Sequence, residues 1–181
     1  QTQKVLAFYK PVGVTCTERD PHAEKKIMDM IRYPERLTYA GRLDKDSEGL
    51  ILLTNDGDLI NAMMRGANRH EKEYIVKTDR EITPDFLEKM AKGIYLKDLD
   101  ITTRECKIEQ IGKFTFRIVL TQGVNRQIRR MCEACGYRVK ALKRIRIMNI
   151  LLGDLKPGKW REVTGEELEQ LQRDTGMLNR N

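Results

Sequence analysis

Tyr39-Ala40-Gly41-Arg42-Leu43-Asp44-Lys45-Asp46-Ser47-Glu48-Gly49-Leu50-Ile51-Leu52-Leu53-Thr54-Asn55-Asp56-Gly57 sets a polar, acid-rich loop ahead of a short apolar run. The run Leu50 to Leu53 is far shorter than the ~18 residues that span a bilayer, and between polar flanks it reads as a buried strand. Leu37 to Tyr39 reads as a second short strand, and Asn55-Asp56-Gly57 as the turn into a helix that continues to about Arg65. Gly41 to Gly49 therefore displays Asp44, Asp46 and Glu48 between two strands. Three readings fit that loop. A calcium loop would begin at Asp44, but its twelfth position is Asn55 where a bidentate Glu is needed, and its flanks are strands rather than helices. A solvated polar turn is the second reading. A carboxylate beside Arg42, displayed as nucleophile or base, is the third.

Working outward, Val5 to Tyr9 reads as a strand ended by the turn Lys10-Pro11-Val12-Gly13. Pro21 to Arg32 carries Ala23, Ile27, Met30 and Ile31 at helical spacing. Glu73 to Thr78 alternates as a strand, Thr83-Pro84-Asp85 starts a helix, and Gly93 stops it. Strands follow near Ile101 to Glu109 and Phe114 to Thr121. Asn125 is then expected to cap a helix ending at Gly136. A further strand runs from Tyr137 to Ile147, and Thr164-Gly165-Glu166-Glu167 has the pattern of a capping box opening a last helix. Strands are consecutive in places and alternate with helices in others, without a sustained βαβ rhythm. That predicts an α+β fold with a mixed, mainly antiparallel central sheet and flanking helices. No repeat or linker divides the chain, so residues 1–175 are expected to form one domain and 176–181 a C-terminal tail.

The 181 residues are 40% hydrophobic and 34% charged, enough for a real core. Neither a membrane-spanning run nor a signal-peptide pattern is present, and four cysteines read as reduced thiols suit a cytoplasmic protein. The chain opens on Gln1 and enters an apolar strand almost at once, which suggests that a segment preceding it has been trimmed away. Cys132 and Cys135 have metal-like spacing, but no second pair or nearby His completes a set, so they read as core thiols and no metal is expected. Neither a P-loop nor a dinucleotide fingerprint occurs, and no cofactor is expected. The charge is more telling. Between Arg126 and Arg146 lie eight basic residues against one acid, Glu133, an excess equal to the whole net charge of +7. One positive patch on a neutral body predicts a polyanionic partner.

The Tyr39–Gly57 stretch resembles the signature of the RsuA-type RNA pseudouridine synthases. His70-Glu71-Lys72-Glu73-Tyr74 resembles their second motif and Gly123-Val124-Asn125-Arg126-Gln127-Ile128-Arg129-Arg130-Met131-Cys132 their third, while Arg144-Ile145-Arg146-Ile147-Met148-Asn149 points to the RluF branch. The resemblance runs from Val5 to about Leu171. It implies the pseudouridine synthase fold, with Asp44 as the carboxylate acting at the sugar. It also implies that Tyr74 stacks on the uracil, that Arg129 is ion-paired with Asp44, and that the aliphatic Leu142 lies near the tyrosine. Pseudouridine formation breaks the ribose–nitrogen bond, turns the base and rejoins it through ring carbon 5, which needs no redox partner or group donor. Members often carry an N-terminal RNA-binding module, consistent with a trimmed start. The implied substrate is a uridine in 23S ribosomal RNA or the assembling large subunit, with tRNA also open and a monomer as the default. The rival from another class is a non-catalytic RNA-binding or ribosome-assembly protein.

Periodicity adds an independent view. On a helical wheel Ile128, Met131, Cys132 and Cys135 form one apolar stripe with Arg129 at its margin, whereas Arg126 and Arg130 point away, as phosphate contacts or simply as solvated side chains. On the strand from Tyr137, alternation puts Arg138, Lys140, Arg144 and Arg146 on one face with Leu142 amid them. Arg42, Lys72, Asn125, Arg126, Arg130, Arg138, Lys140 and Leu142 are thus the expected RNA-binding residues, with Arg42 a candidate to fill the space left by an extruded base.

Overall fold

The computed structural model describes residues 2–16, 27, 30–65 and 69–177. In chain order the elements are β1 (Val5–Lys10), β2 (Thr38–Ala40), β3 (Glu48–Thr54), α1 (Gly57–Arg65), β4 (Lys72–Thr78), α2 (Pro84–Lys92), β5 (Tyr95–Leu96), β6 (Ile101–Thr102), β7 (Lys107–Gly112), β8 (Thr115–Leu120), α3 (Gln127–Ala134), β9 (Val139–Ile147), β10 (Ile150–Leu151), β11 (Trp160–Glu162) and α4 (Gly165–Asp174). The fold is α+β. Its central sheet runs β11-β1-β3-β9-β4-β8-β7, with β2 on β3 and β10 on β9. Every described pairing is antiparallel except β3 with β9, where Glu48 faces Lys143 and Gly49 faces Arg144.

The buried strand expected at Leu50 is covered on both faces. Leu50 and Leu52 join Val5, Ala7 and Tyr9 of β1 under Leu59 and Met63 of α1 and Leu171 of α4. Ile51 and Leu53 join Leu6 and Phe8 in a second cluster with Ile27 and Ile31. A third cluster packs Phe86 and Met90 of α2 and Ile128, Met131 and Cys132 of α3 onto Val76, Phe116 and Leu142. Burial pushes the Cys132 thiol up to about 12, as befits a packed side chain. The expected helix over residues 21–32 lies mostly outside the described residues, though Ile27, Met30 and Ile31 are helical. So do residues 178–181 of the expected tail, whose Met177 still packs on the first cluster.

Local signals held at α2, where the Thr83 hydroxyl accepts the Phe86 N–H at 3.1 Å. Two cap readings fail. The residue before α3 is Arg126 rather than Asn125, and it has left-handed φ 51° with no side-chain cap. Thr164 precedes α4 but makes no side-chain cap bond, and the Glu167 carboxylate is turned to Arg161, with contacts of 2.6 and 2.9 Å. The strand expected over 101–109 is two elements, and Tyr95–Leu96 pairs with Ile101–Thr102 as a separate hairpin.

The strand from Tyr137 departs most from simple alternation. Register shifts against β4 fall between Glu73 and Tyr74 and between Lys77 and Thr78, so that Tyr74 faces Arg144 while Glu73 faces Arg146. Each extra residue flips the alternation, and Arg144 and Arg146 end on opposite faces. Arg144 is buried. At the parallel seam a Cβ on Gly49, whose φ is +113°, would lie 2.3 Å from the Arg144 carbonyl oxygen. Only glycine lets the two strands approach so closely.

Candidate active site

Asp44 sits in the loop between β2 and β3, whose turn is closed by the Ser47 N–H on the Asp44 carbonyl at 3.0 Å. The chain after β1 braces it through the Gly13 N–H on the Lys45 carbonyl at 2.8 Å. Beneath lies Lys10, fully buried, its ammonium donating to the Pro11 carbonyl at 2.7 Å. Burial lowers the Lys10 pKa, and Cys16, Asp46, Asp44 and Glu48 oppose that shift. In the sequence Lys10 reads only as a turn residue. The signal it carried was a lysine directly continuing an all-apolar strand.

The loop's three acids have different tasks. Glu48 accepts the Tyr9 hydroxyl, and Asp46 is gripped by two arginines. Only Asp44 among the three lines the cleft of about 350 Å³ that opens beside the seam. The same cleft is lined by Tyr74 and Lys72 of β4, Leu142 and Arg144 of β9, and Arg42. Lys72, Tyr74 and Val76 alternate onto one face of β4, and Leu142 pairs with Val76, so the leucine stands diagonal to the tyrosine ring. Lys72 has its pKa lowered, chiefly by burial and then by the charge of Arg144.

The arginine on Asp44 is not the expected one. Arg126 Nη1 lies 3.3 Å from Asp44 Oδ2 and the same guanidinium holds both Asp46 oxygens, at 3.1 and 2.8 Å. Arg129 reaches Asp46 Oδ2 at 3.4 Å, the Asp46 carbonyl at 3.0 Å and the Ser47 hydroxyl at 3.2 Å. The Arg129 side chain is only 13% exposed, in line with the wheel, but it binds the loop at Asp46 and Ser47 rather than at Asp44. The wheel failed for Arg126 because that residue precedes the helix in a left-handed conformation. Its side chain swings toward the loop instead of away. The Arg126 hydrogen bond holds the Asp46 carboxyl below the ordinary carboxylate range.

Other expected RNA contacts scatter. Asn125 lines the cleft, with its side-chain oxygen accepting from Arg130 at 3.2 Å. Arg130 itself faces a different recess beside Asp98, 3.9 Å away. Arg138 and Lys140 are exposed and do not line the cleft. Arg144 donates to the carbonyls of Leu50 at 2.8 Å, Arg42 at 3.3 Å and Gly41 at 3.3 Å. Arg146 holds Glu73 at 2.9 Å and Glu71 at 3.1 Å. Arg126, Arg144 and Arg146 of this basic run are thus paired or buried within the fold, while Arg138 and Lys140 stand exposed outside the cleft.

Residues 4–134 match the RNA pseudouridylate synthase family. The chain belongs to that family. It is 47% identical over 167 residues to the dual-specificity RNA pseudouridine synthase RluF of Escherichia coli, covering 92% of this chain and 57% of that protein. It is 34% identical to the ribosomal large subunit pseudouridine synthase B of Vibrio cholerae over 93% of this chain and 54% of that one. The chain therefore spans little more than half the length of these relatives. A solved pseudouridylate synthase superposes with a TM-score of 0.85 at 29% identity, covering 94% of this chain and 74% of that one. Among the described residues no helix is long and apolar enough to cross a membrane.

Proposed function

We propose that this chain is the catalytic domain of an RNA pseudouridine synthase acting on a uridine of large-subunit ribosomal RNA, with Asp44 as the reacting carboxylate. One observation carries the reading: Asp44, alone of the loop's acids, opens into a cleft whose other wall presents Tyr74 and Leu142. A flipped uracil stacks on the Tyr74 ring against Leu142, and the Asp44 carboxylate meets the ribose. The bond from ribose carbon 1 to ring nitrogen 1 breaks, the base turns within the cleft, and ring carbon 5 bonds to the sugar. The proton on carbon 5 leaves and nitrogen 1 gains one, so atoms balance. Arg126 and Arg129 keep the 44–47 loop in place.

The substrate class is supported by the names of the relatives, one of which specifies the large ribosomal subunit and another dual specificity. RNA labelled with tritium at uridine carbon 5 tests both points. Release of tritium from large-subunit transcripts is expected, with tRNA assayed in parallel. Asp44→Asn should abolish release while leaving RNA affinity within about twofold, because the amide keeps shape but is no nucleophile. More than trace turnover by that variant, or no release from either RNA by the parent, would overturn the assignment.

A further inference from the structure

Arg126, Arg129, Arg144 and Arg146 are committed to partners within the fold, and the exposed Arg138 and Lys140 do not line the cleft, so the cations nearest its rim are of interest for RNA phosphates. A second, open groove of about 840 Å³ adjoins the catalytic cleft, lined by Arg65, Arg69, His70, Glu71 and Arg146 among others. The two openings share a ridge formed by the last turn of α1 and the start of β4. Met64 and Lys72 face the cleft, while their sequence neighbours Arg65 and Glu71 face the groove. Along that groove Arg146 is already paired with Glu71, and Asp174 accepts from Gln170 at 2.7 Å. Arg65 and Arg69 hold no carboxylate among the described residues. They are the uncommitted cations of the wall.

Met64 supplies the second observation. Its side chain is 69% exposed at the lip of the cleft, on a helix whose Leu59, Ala62 and Met63 are buried. An unbranched thioether left in water beside a polar cleft suits a flat apolar surface that arrives with a ligand. Apolar side chains of this kind wedge against base steps in nucleic-acid complexes, beside cations on the phosphates.

We infer that the end of α1 and the adjoining groove dock the RNA strand flanking the target nucleotide, with Arg65 and Arg69 on its phosphates and Met64 against the base next to the vacated place. This rests on the proposed RNA-modifying function and adds where the rest of the substrate lies. The strand crosses the ridge with its target base turned into the cleft over Tyr74. The adjoining base stays outside, against Met64, and the backbone continues into the groove. Glu71 and Asp174 keep that groove from being a general polyanion trap, so phosphates are held at the two free arginines.

The test uses a short fluorescein-labelled RNA hairpin with uridines in its loop, and affinity measured across a salt series. Each phosphate contact on single strands contributes a log–log slope of roughly −0.7. Arg65→Ala/Arg69→Ala should therefore flatten the slope by about 1.4, while the single-turnover rate at saturating enzyme stays within about twofold of the parent. Arg65→Lys/Arg69→Lys, which keeps both charges, should restore the slope. Both positions are on the open wall, so the fold has no cause to fail, and a urea midpoint equal to the parent's checks this. Met64→Ala should leave the slope alone and lower the saturated rate several-fold, with Met64→Leu restoring it. An alanine double variant with the parent's slope overturns the inference, as does a Met64→Ala rate equal to the parent's. A parent that releases no tritium defeats the enzymatic reading instead, and the salt comparison still reads this surface.

Discussion

Arg144→Met separates the two meanings a basic residue on β9 can have. As a phosphate contact Arg144 would contribute to RNA affinity and nothing to the fold. Its side chain is instead buried, with Nε on the Leu50 carbonyl at 2.8 Å and the two terminal nitrogens on the Arg42 and Gly41 carbonyls at 3.3 Å. The first bond is short and charge-assisted, which is worth about 1.5–3 kcal/mol. The other two are long and together add about 1 kcal/mol. Methionine keeps most of the aliphatic stem and removes a desolvated charge. Replacing a whole buried ion pair by apolar groups is often neutral, but here only one partner goes and three carbonyls are left behind, so the orphaning cost applies. A net loss of about 3 kcal/mol follows. With a urea dependence of roughly 2 kcal/mol per molar for a chain of this size, the unfolding midpoint should fall by about 1.5 M.

The functional consequence is also specific. Gly41 and Arg42 lead directly into Asp44, so freeing their carbonyls loosens the loop that presents the carboxylate. The single-turnover rate should drop about tenfold or more, since small misplacements of a reacting group are costly. The salt slope of RNA binding should not change. A variant with the parent's urea midpoint and a slope flatter by about 0.7 would mean that Arg144 reaches a phosphate, and the buried-anchor argument would be wrong.

Arg126→Ala and Arg129→Ala should differ in kind. The first removes the cation 3.3 Å from Asp44 and should cut the saturated rate with little change in urea midpoint, its partners being well exposed. The second strips the Asp46 carbonyl and Ser47 hydroxyl of a mostly buried donor, so midpoint and rate should fall together; equal midpoints for the two variants would refute this division. Asp46 provides a pH test. Its folded pKa is depressed, first by the Arg126 hydrogen bond, so its stabilisation is present above the unfolded value near 3.9 and is lost as pH falls through the folded one. Asp46→Asn should be less stable than the parent at neutral pH, with the gap closing below about pH 4; a gap constant down to pH 3 would show that the carboxylate's charge is irrelevant.

What the sequence made legible was whatever short-range patterning controls. The apolar run at Leu50, the Thr83 cap with its Gly93 stop and the polar loop between strands all read correctly, because each is decided by a few adjacent residues. Asp44, Tyr74, Lys72 and Leu142 converge on one cleft although they come from three separate segments, and it was the family motifs, not periodicity, that joined them. The failures have a common cause. A wheel drawn through Arg126 assumes that the helix already includes it, whereas the helix begins one residue later, and alternation drawn through Arg138 to Arg146 assumes a ladder without bulges. One left-handed residue and two inserted residues reversed the direction of several charges. Lys10 was missed for a related reason: burial of a lysine depends on acids brought from the 44–48 loop, which no local window contains.

The position of the site follows from the seam. Two antiparallel halves of the sheet meet where β3 lies parallel to β9, and the join is only two residue pairs long. The cleft is lined beside this join by Arg144 of β9 and by Gly41 to Asp44 of the loop that leads into β3. Gly49 permits the close approach and Arg144 reaches from β9 to the carbonyls of the loop arriving from β2. The same side chain therefore closes the two halves and sets the backbone that displays Asp44. Substitutions at the seam must change stability and rate together. At the end of α1, where Met64 and Arg65 stand outside the core, the two can be separated. A set of variants from both places should accordingly fall into two groups, seam changes moving midpoint and rate in proportion, ridge changes moving RNA binding or rate at constant midpoint. Seam variants that lose rate at the parent's midpoint would mean that the loop is positioned by something other than the seam.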